Sequence, residues 1–197
     1  MKTITKFDGI DIYLFDQIQK GRLANITRVL DAGCGKGRNM TFLAQNGIEV
    51  HGIDISEESI STCKKKFSDF NNIEVQVANL TQIPYPNDSF DFITCSAVLH
   101  FAKDFNDFHT QINELWRVLR TNGILFIRQA SSIGIENLIT DLGNNRYLLP
   151  DGSERFLVTL DDILEVRKKL NAELLDPIKT TNVQDLRCMT TWVVKKK

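Results

Sequence analysis

Residues 29–39 read VLDAGCGKGRN, an apolar run that ends in Gly33, Gly35 and Gly37. Glycine loses more backbone freedom on folding than any other residue. Such a cluster is tolerable where the main chain must turn sharply or lie bare against a ligand. Strand, glycine turn and helix in that order put backbone N–H groups at a helix N-terminus, on the carboxyl edge of a parallel sheet. This stretch therefore argues for an α/β chain with a ligand site at one edge of its sheet.

The rest of the chain alternates in the way that fold requires. Strand-like runs occur at 26–32, 48–54, 73–78, 90–98 and 123–130. Several are nearly continuous in apolar residues, which suits strands covered on both faces. Between them, Ile60, Cys63, Phe67 and Phe70 repeat at helical spacing after Ser56, a good N-cap. Phe105, Phe108, Ile112, Leu115 and Leu119 form a longer apolar stripe, with Gly123 as its expected stop. Alternating strands and helices predict a doubly wound, mostly parallel sheet. In the last third, Pro150-Asp151-Gly152 signals a hairpin within 148–158, and Thr159 to Asp162 reads as a capping box opening a helix to about residue 170. The segments 173–183 and 186–195, separated by Gln184 and Asp185, read as an antiparallel pair that brings the sheet to seven strands. Pro177 marks the first of them as an edge or bulged strand.

Composition narrows the function. The chain has 197 residues and a formal net charge of -1, so it offers no general basic field for nucleic acid. A nucleic-acid partner is accordingly disfavoured. Cys34, Cys63, Cys95 and Cys188 are scattered, without metal-ligand spacing, so neither a metal nor a disulfide framework is expected. No secretory signal and no 18-residue apolar stretch stand out, which predicts a cytoplasmic chain without a membrane span. With no linker-like segment, residues 1–197 read as a single domain.

The second strand ends at Asp54, 21 residues after Gly33. A carboxylate there can accept both hydroxyls of a ribose. The dinucleotide pattern G-x-G-x-x-G fails, because its third glycine would fall on Arg38. A P-loop fails too, because Lys36 precedes Gly37 rather than Ser or Thr.

VLDAGCGKGRN, with its D-x-G-x-G-x-G core, resembles the first motif of class I S-adenosylmethionine-dependent methyltransferases. VHGIDIS (50–56), ANLTQIPYPNDSFDFITCSAVLHF (78–101) and ELWRVLRTNGILFIRQ (114–129) are similar to the segments that follow in that family. The resemblance implies a Rossmann-like methyltransferase fold with S-adenosylmethionine as cofactor and S-adenosylhomocysteine as product. It implies a cofactor site of Asp31, Gly33, Cys34, Gly35, Gly37, Arg38, Asp54, Ile55, Asn79, Leu80 and Ser96. Gly33 and Cys34 would approach the methionine part, with Gly35 beneath it, Asp31 near its amino group and Ser96 beside it. Arg38 would pair with its carboxylate or be a solvated first-turn residue. Asp54 would hold the ribose, Ile55 would cover the adenine, and Asn79 and Leu80 would meet its edge.

His100 follows the fourth strand, where the family lines its acceptor pocket, and is a candidate general base or a structural histidine. Arg128, Arg146 and Tyr147 are candidates for binding an acidic acceptor. Residues 1–24 would form an N-terminal helical cap, and 131–158 a lid insertion. The expected activity is methyl transfer to a small-molecule acceptor. The alternatives are a tRNA or protein methyltransferase and a non-catalytic S-adenosylmethionine-binding module.

Overall fold

A computed structural model describes residues 9–197. In chain order it runs α1 (Ile12–Gln19), β1 (Arg28–Ala32), α2 (Met40–Gln45), β2 (Glu49–Asp54), α3 (Glu57–Lys66), β3 (Ile73–Val77) and β4 (Phe90–Ser96). A 3-10 turn at Leu99–Phe101 leads to α4 (Phe105–Val118) and β5 (Leu119–Ser131). Three short strands follow, β6 (Thr140–Asp141), β7 (Arg146–Leu148) and β8 (Glu154–Phe156). The chain then forms α5 (Leu160–Lys169), β9 (Glu173–Leu174), β10 (Lys179–Val183) and β11 (Arg187–Lys195).

The main sheet is ordered β10-β11-β5-β4-β1-β2-β3, with the two-residue β9 added on β11. Strands β1 to β5 pair in parallel, and β11 runs antiparallel to both β5 and β10. Strand order therefore reverses between β1 and β4, and the ligand-binding crevice of such a sheet opens there. This is the predicted mostly parallel, doubly wound sheet with an antiparallel pair at its end.

Alternate residues of each central strand serve opposite faces. Val29, Val50, Phe92, Phe126 and Val193 pack with Leu14 of α1, Met40 and Leu43 of α2, and Ile60 and Cys63 of α3. Leu30, Ile53, Ile93, Ile127 and Trp192 pack on the other side with Phe108 and Leu115 of α4 and Ile163 and Val166 of α5. Each fully buried side chain of this kind stabilises the fold by about 1.5–3 kcal/mol. Burial on both faces is why these strands read as continuous apolar runs.

The helix caps follow the sequence. Ser56 Oγ accepts from Ser59 N, and Thr159 with Asp162 forms the capping box of α5. One boundary differs from expectation. The helix α4 ends at Val118, not at Gly123, because Leu119 is already extended and paired with Phe90. Gly123 instead belongs to a bulge in β5. A Cβ there would lie 2.8 Å from the Arg120 carbonyl oxygen. Pro177 divides 173–183 into β9 and the edge strand β10. The β10–β11 turn uses Gln184 and Asp185, both at positive φ, as a tight hairpin requires.

The break at Pro177 has a use. It presents Asp176, which accepts from Arg22 Nη2 at 2.9 Å, Gln17 Nε2 at 3.0 Å and Lys20 Nζ at 3.1 Å. These contacts fasten the C-terminal end of α1 to the β9–β10 connection. Burial alone would raise the Asp176 pKa, but the donors from Arg22, Gln17 and Lys20 outweigh it and hold the carboxyl well below the usual range. A depressed native pKa gives stability that is present above the unfolded pKa and lost as pH falls. Asp176→Asn should therefore lower stability at pH 7 by about 2 kcal/mol. The gap between variant and wild type should close as thermal unfolding is followed below about pH 4.

Candidate functional site

The glycine turn sits at the carboxyl end of β1. Gly33, Gly35 and Gly37 have φ of 78°, 52° and 71°, a region that disfavours side chains. Gly33 N and Cys34 N donate to Ile53 O at 2.8 and 2.9 Å, which ties the turn to the end of β2. The three glycines serve different purposes. A Cβ on Gly33 would lie 2.2 Å from Val98 Cγ2, and one on Gly37 would lie 2.5 Å from Phe67 Cε2. Among the described residues a Cβ on Gly35 would meet nothing within 4 Å. Two glycines thus allow close packing, while Gly35 presents bare backbone to open space.

That space is a cleft of about 500 Å³ lined by Gly33, Gly35, Asp54, Ile55, Asn79 and Leu80 among others. Asp54 Oδ2 accepts from Gly35 N and Oδ1 from Ser56 N, each at 2.9 Å. The carboxylate is held rigidly by main chain, and each oxygen retains a lone pair. Capping of α3 falls to Ser56, which leaves Asp54 facing the cleft. Ile55, an apolar side chain in the same lining, is 70% exposed. Asn79 Oδ1 accepts from Thr81 N at 3.0 Å, which fixes the amide at the cleft wall.

Asp31 is buried behind the turn, and its Oδ2 has no hydrogen-bond partner among the described residues. Burial pushes its pKa up to about 7, against the opposing pull of Arg38. An acid with a raised native pKa favours folding below its unfolded pKa, and that benefit is lost as pH rises toward 7. Asp31→Asn should therefore raise the melting temperature of the ligand-free protein at pH 8 by several degrees and change it little at pH 4. A melting temperature at pH 8 equal to or below wild type would refute this account.

Sequence reasoning missed Asp11, the N-cap of α1. It is 4% exposed. Its Oδ1 accepts from Tyr13 N, and its Oδ2 accepts from Ser96 Oγ at 2.9 Å and Arg38 Nη2 at 3.2 Å. Arg128 Nη1 is 3.6 Å from the same oxygen. The structure thus brings together Arg38, Ser96 and Arg128, three expected site residues, around a buried acid. The only sequence signal for Asp11 was its position just before the apolar IYLF segment.

A second cavity, of about 260 Å³, adjoins the first, and Ala97 lines both. Arg38, His100, Arg128, Arg155 and Arg187 line it, together with Asp151. His100 Nδ1 accepts from Ala130 N at 3.2 Å. Burial, then Arg155, Arg128 and Arg187, lower its pKa to about 4. The Nδ1 lone pair is occupied and the ring is neutral, so the proton resides on Nε2. Of the two readings the sequence left open for His100, a general base or a structural histidine, the main-chain bond to Ala130 N is the contact the second requires, and Nε2–H remains as a donor.

Arg146 and Tyr147 are not brought into this cavity. Arg146 Nη1 donates to Ala102 O at 3.1 Å, and Tyr147 packs against a small cluster containing Leu149, Leu157 and Met189. Cys34 and Gly37 belong to the turn but do not line the cleft. The Cys34 thiol, beside Cys63 and buried, is raised in pKa, and burial raises Cys95, so neither is an activated nucleophile. Among the described residues no cluster of three metal-ligating side chains occurs, and no helix is long and apolar enough to cross a membrane.

A bare backbone turn, a fixed carboxylate one strand away and an exposed apolar side chain beside it are the layout of a nucleoside site at the edge of an α/β sheet. Residues 30–127 match the model of a family described as the methyltransferase domain. YqeM of Bacillus subtilis, provisionally named a methyltransferase, is 34% identical over 115 residues, covering 58% of this chain and 47% of that protein. The demethylmenaquinone methyltransferase of Listeria welshimeri is 32% identical over 114 residues, covering 55% and 45%. The chain thus spans about half the length of the curated relatives it matches. Among solved structures, a SAM-dependent methyltransferase from Methanosarcina mazei superposes with a TM-score of 0.77 at 20% identity, over 91% of this chain and 96% of that one. This chain belongs to the class I S-adenosylmethionine-dependent methyltransferase family.

Proposed function

We propose that the chain is a methyltransferase that binds S-adenosylmethionine in the larger cleft and methylates a small molecule held in the adjoining cavity. The observation that carries this reading is the pairing of Gly35 with Asp54. A backbone turn open to space is hydrogen-bonded to a carboxylate that keeps lone pairs for two ribose hydroxyls. The polar groups fit the rest of the cofactor. Asp31, with an unpartnered buried oxygen, supplies a counter-charge for the methionine amino group. Arg38, oriented by Asp11 and lining the near side of the adjoining cavity, would offer a planar fork to the carboxylate where the methionine end reaches past the cleft. Ile55 would cover the adenine, while Asn79 and Leu80 would meet its edge.

The bound sulfonium brings a methyl group already activated toward nucleophiles. What remains for the protein is to hold the acceptor in line, with reacting atoms about 3–3.5 Å apart. Ala97, just after β4, lines both spaces and marks where they meet. His100, as a neutral donor, orients an acceptor oxygen or nitrogen rather than deprotonating it. Residues 131–158 contribute Leu149, Asp151, Ser153 and Arg155 to the second cavity and would act as its lid. We assign residues 9–24, with α1, to a cap over the methionine end; the rest of the expected 1–24 cap lies outside the described residues. The whole is read as one domain. Four free, buried cysteines suit a reducing cytoplasm, and a net charge of -1 suits a small acceptor better than a nucleic acid.

Calorimetric titration with S-adenosylmethionine, S-adenosylhomocysteine and NAD tests the proposal. The first two should bind and NAD should not. Tighter binding of NAD would overturn it.

A further inference from the structure

The cavity beside the cofactor cleft has an unusual charge. Four guanidinium groups line it, from four separate places: Arg38 in the glycine turn, Arg128 on β5, Arg155 on β8 and Arg187 on β11. Among the described residues Asp151 is the one carboxylate in the lining, and Asp11 faces Arg38 and Arg128 from behind. His100 is neutral and adds a donor, not a charge.

The arginines are also incompletely partnered. Among the described residues Arg155 has no carboxylate within ion-pair distance; it donates to Glu154 O and lies 5.0 Å over the Phe101 ring. Arg187 reaches Asp151 only at 3.5 Å. Among the described residues Arg128 Nε is buried with no hydrogen-bond partner. Buried donors without partners cost stability, and like charges around one small space repel. Such an arrangement is sustained when the missing charge arrives with a ligand.

We infer that the acceptor carries an anionic group, a carboxylate or a phosphate, and that Arg155 and Arg187, aided by Arg128, bind it in this cavity. The inference rests on the methyltransferase reading for the word acceptor, but not for the anion site itself. Arg38 is left to the methionine carboxylate. Arg155 and Arg187 have no role in the proposed cofactor site. The planar fork of arginine suits both anions, and His100 Nε2–H adds a neutral donor. An anion anchored there would present the remainder of a small molecule toward Ala97, where the two spaces join.

The test is calorimetry at low ionic strength with three probes: succinate, pyrophosphate and the neutral analogue succinamide. Each is titrated into wild type, Arg155→Gln and Arg187→Gln, with and without saturating S-adenosylhomocysteine. At least one anion should bind, succinamide should bind about tenfold more weakly or not at all, and each variant should weaken the anion by about tenfold. Affinity for S-adenosylhomocysteine should stay within about twofold in both variants, as expected for separate sites. Binding of succinate alone assigns a carboxylate, and binding of pyrophosphate alone assigns a phosphate. The inference is overturned if neither anion binds, if succinamide binds equally, if both folded variants bind as wild type does, or if the anions displace S-adenosylhomocysteine. Failure of S-adenosylhomocysteine itself to bind would instead sink the methyltransferase reading, while the titrations without it still report on the anion site.

Discussion

Gly33→Ala is expected to lower the melting temperature by about 10 °C and to abolish cofactor binding. The new Cβ would stand 2.2 Å from Val98 Cγ2 and 2.9 Å from Cγ1. Neither neighbour is the free end of a long side chain, so backbone must move. Overpacking of this kind costs about 1–3 kcal/mol. The left-handed backbone at φ 78° adds about 1–2 kcal/mol for any residue with a Cβ. At about 2–4 °C per kcal/mol for a chain of this size, the sum gives the stated shift. Binding is lost as well because Val98 lines the cleft. Gly35→Ala is the control. Its Cβ meets nothing within 4 Å among the described residues, so unfolding should change modestly, while S-adenosylhomocysteine binding should fall sharply because the methyl group enters the space kept for ligand. Should Gly33→Ala melt with wild type, the packing account of the turn is wrong.

Asp54→Ala is expected to weaken S-adenosylmethionine about a hundredfold in calorimetry. A hydrogen bond to a charged group contributes about 1.5–3 kcal/mol, and two ribose hydroxyls would share this carboxylate. The variant also releases Gly35 N and Ser56 N, so the turn loses its tether and the cleft its pre-set shape. Asp54→Asn separates the two effects. The amide oxygen can still accept from Gly35 N and one hydroxyl, but the amide nitrogen accepts from neither Ser56 N nor a second hydroxyl, so its binding should fall between that of wild type and Asp54→Ala. An Asp54→Ala protein that is folded and binds within about threefold of wild type would remove the ribose role.

Both predictions act on residues that stand out in the sequence, and the reason is local. Gly33, Gly35, Gly37 and Asp54 belong to two adjacent strand ends whose spacing is set by one βαβ crossover. The strands β1 to β4 were legible for the same reason: period and turn chemistry lie within each segment. Gly123 misled because a glycine after a helical stripe looks the same whether it ends the helix or permits a strand bulge. Only the pairing of Leu119 with Phe90 decides between them.

The second cavity was largely illegible. Arg155, Arg187 and Asp11 reach the neighbourhood of Arg128 from distant parts of the chain. No window of sequence contains them together. Arg146 and Tyr147, chosen for their place before the Pro-Asp-Gly turn, belong to β7, where Arg146 is spent on Ala102 O and Tyr147 on packing. His100 was found by position, but its chemistry came from Ala130 N and three arginines that only tertiary structure brings near.

The arrival of β11 so late in the chain has a consequence for biosynthesis. It inserts between β5 and β10 along eight paired positions, from Cys188 opposite Ser131 to Lys195 opposite Ile124. Until those residues have left the ribosome, β5 has one open margin, with unpaired amides and a strip of apolar side chains exposed to other nascent chains. Arg187 and Met189 arrive with the same strand, so the polypeptide gains its second cavity only as it closes that margin.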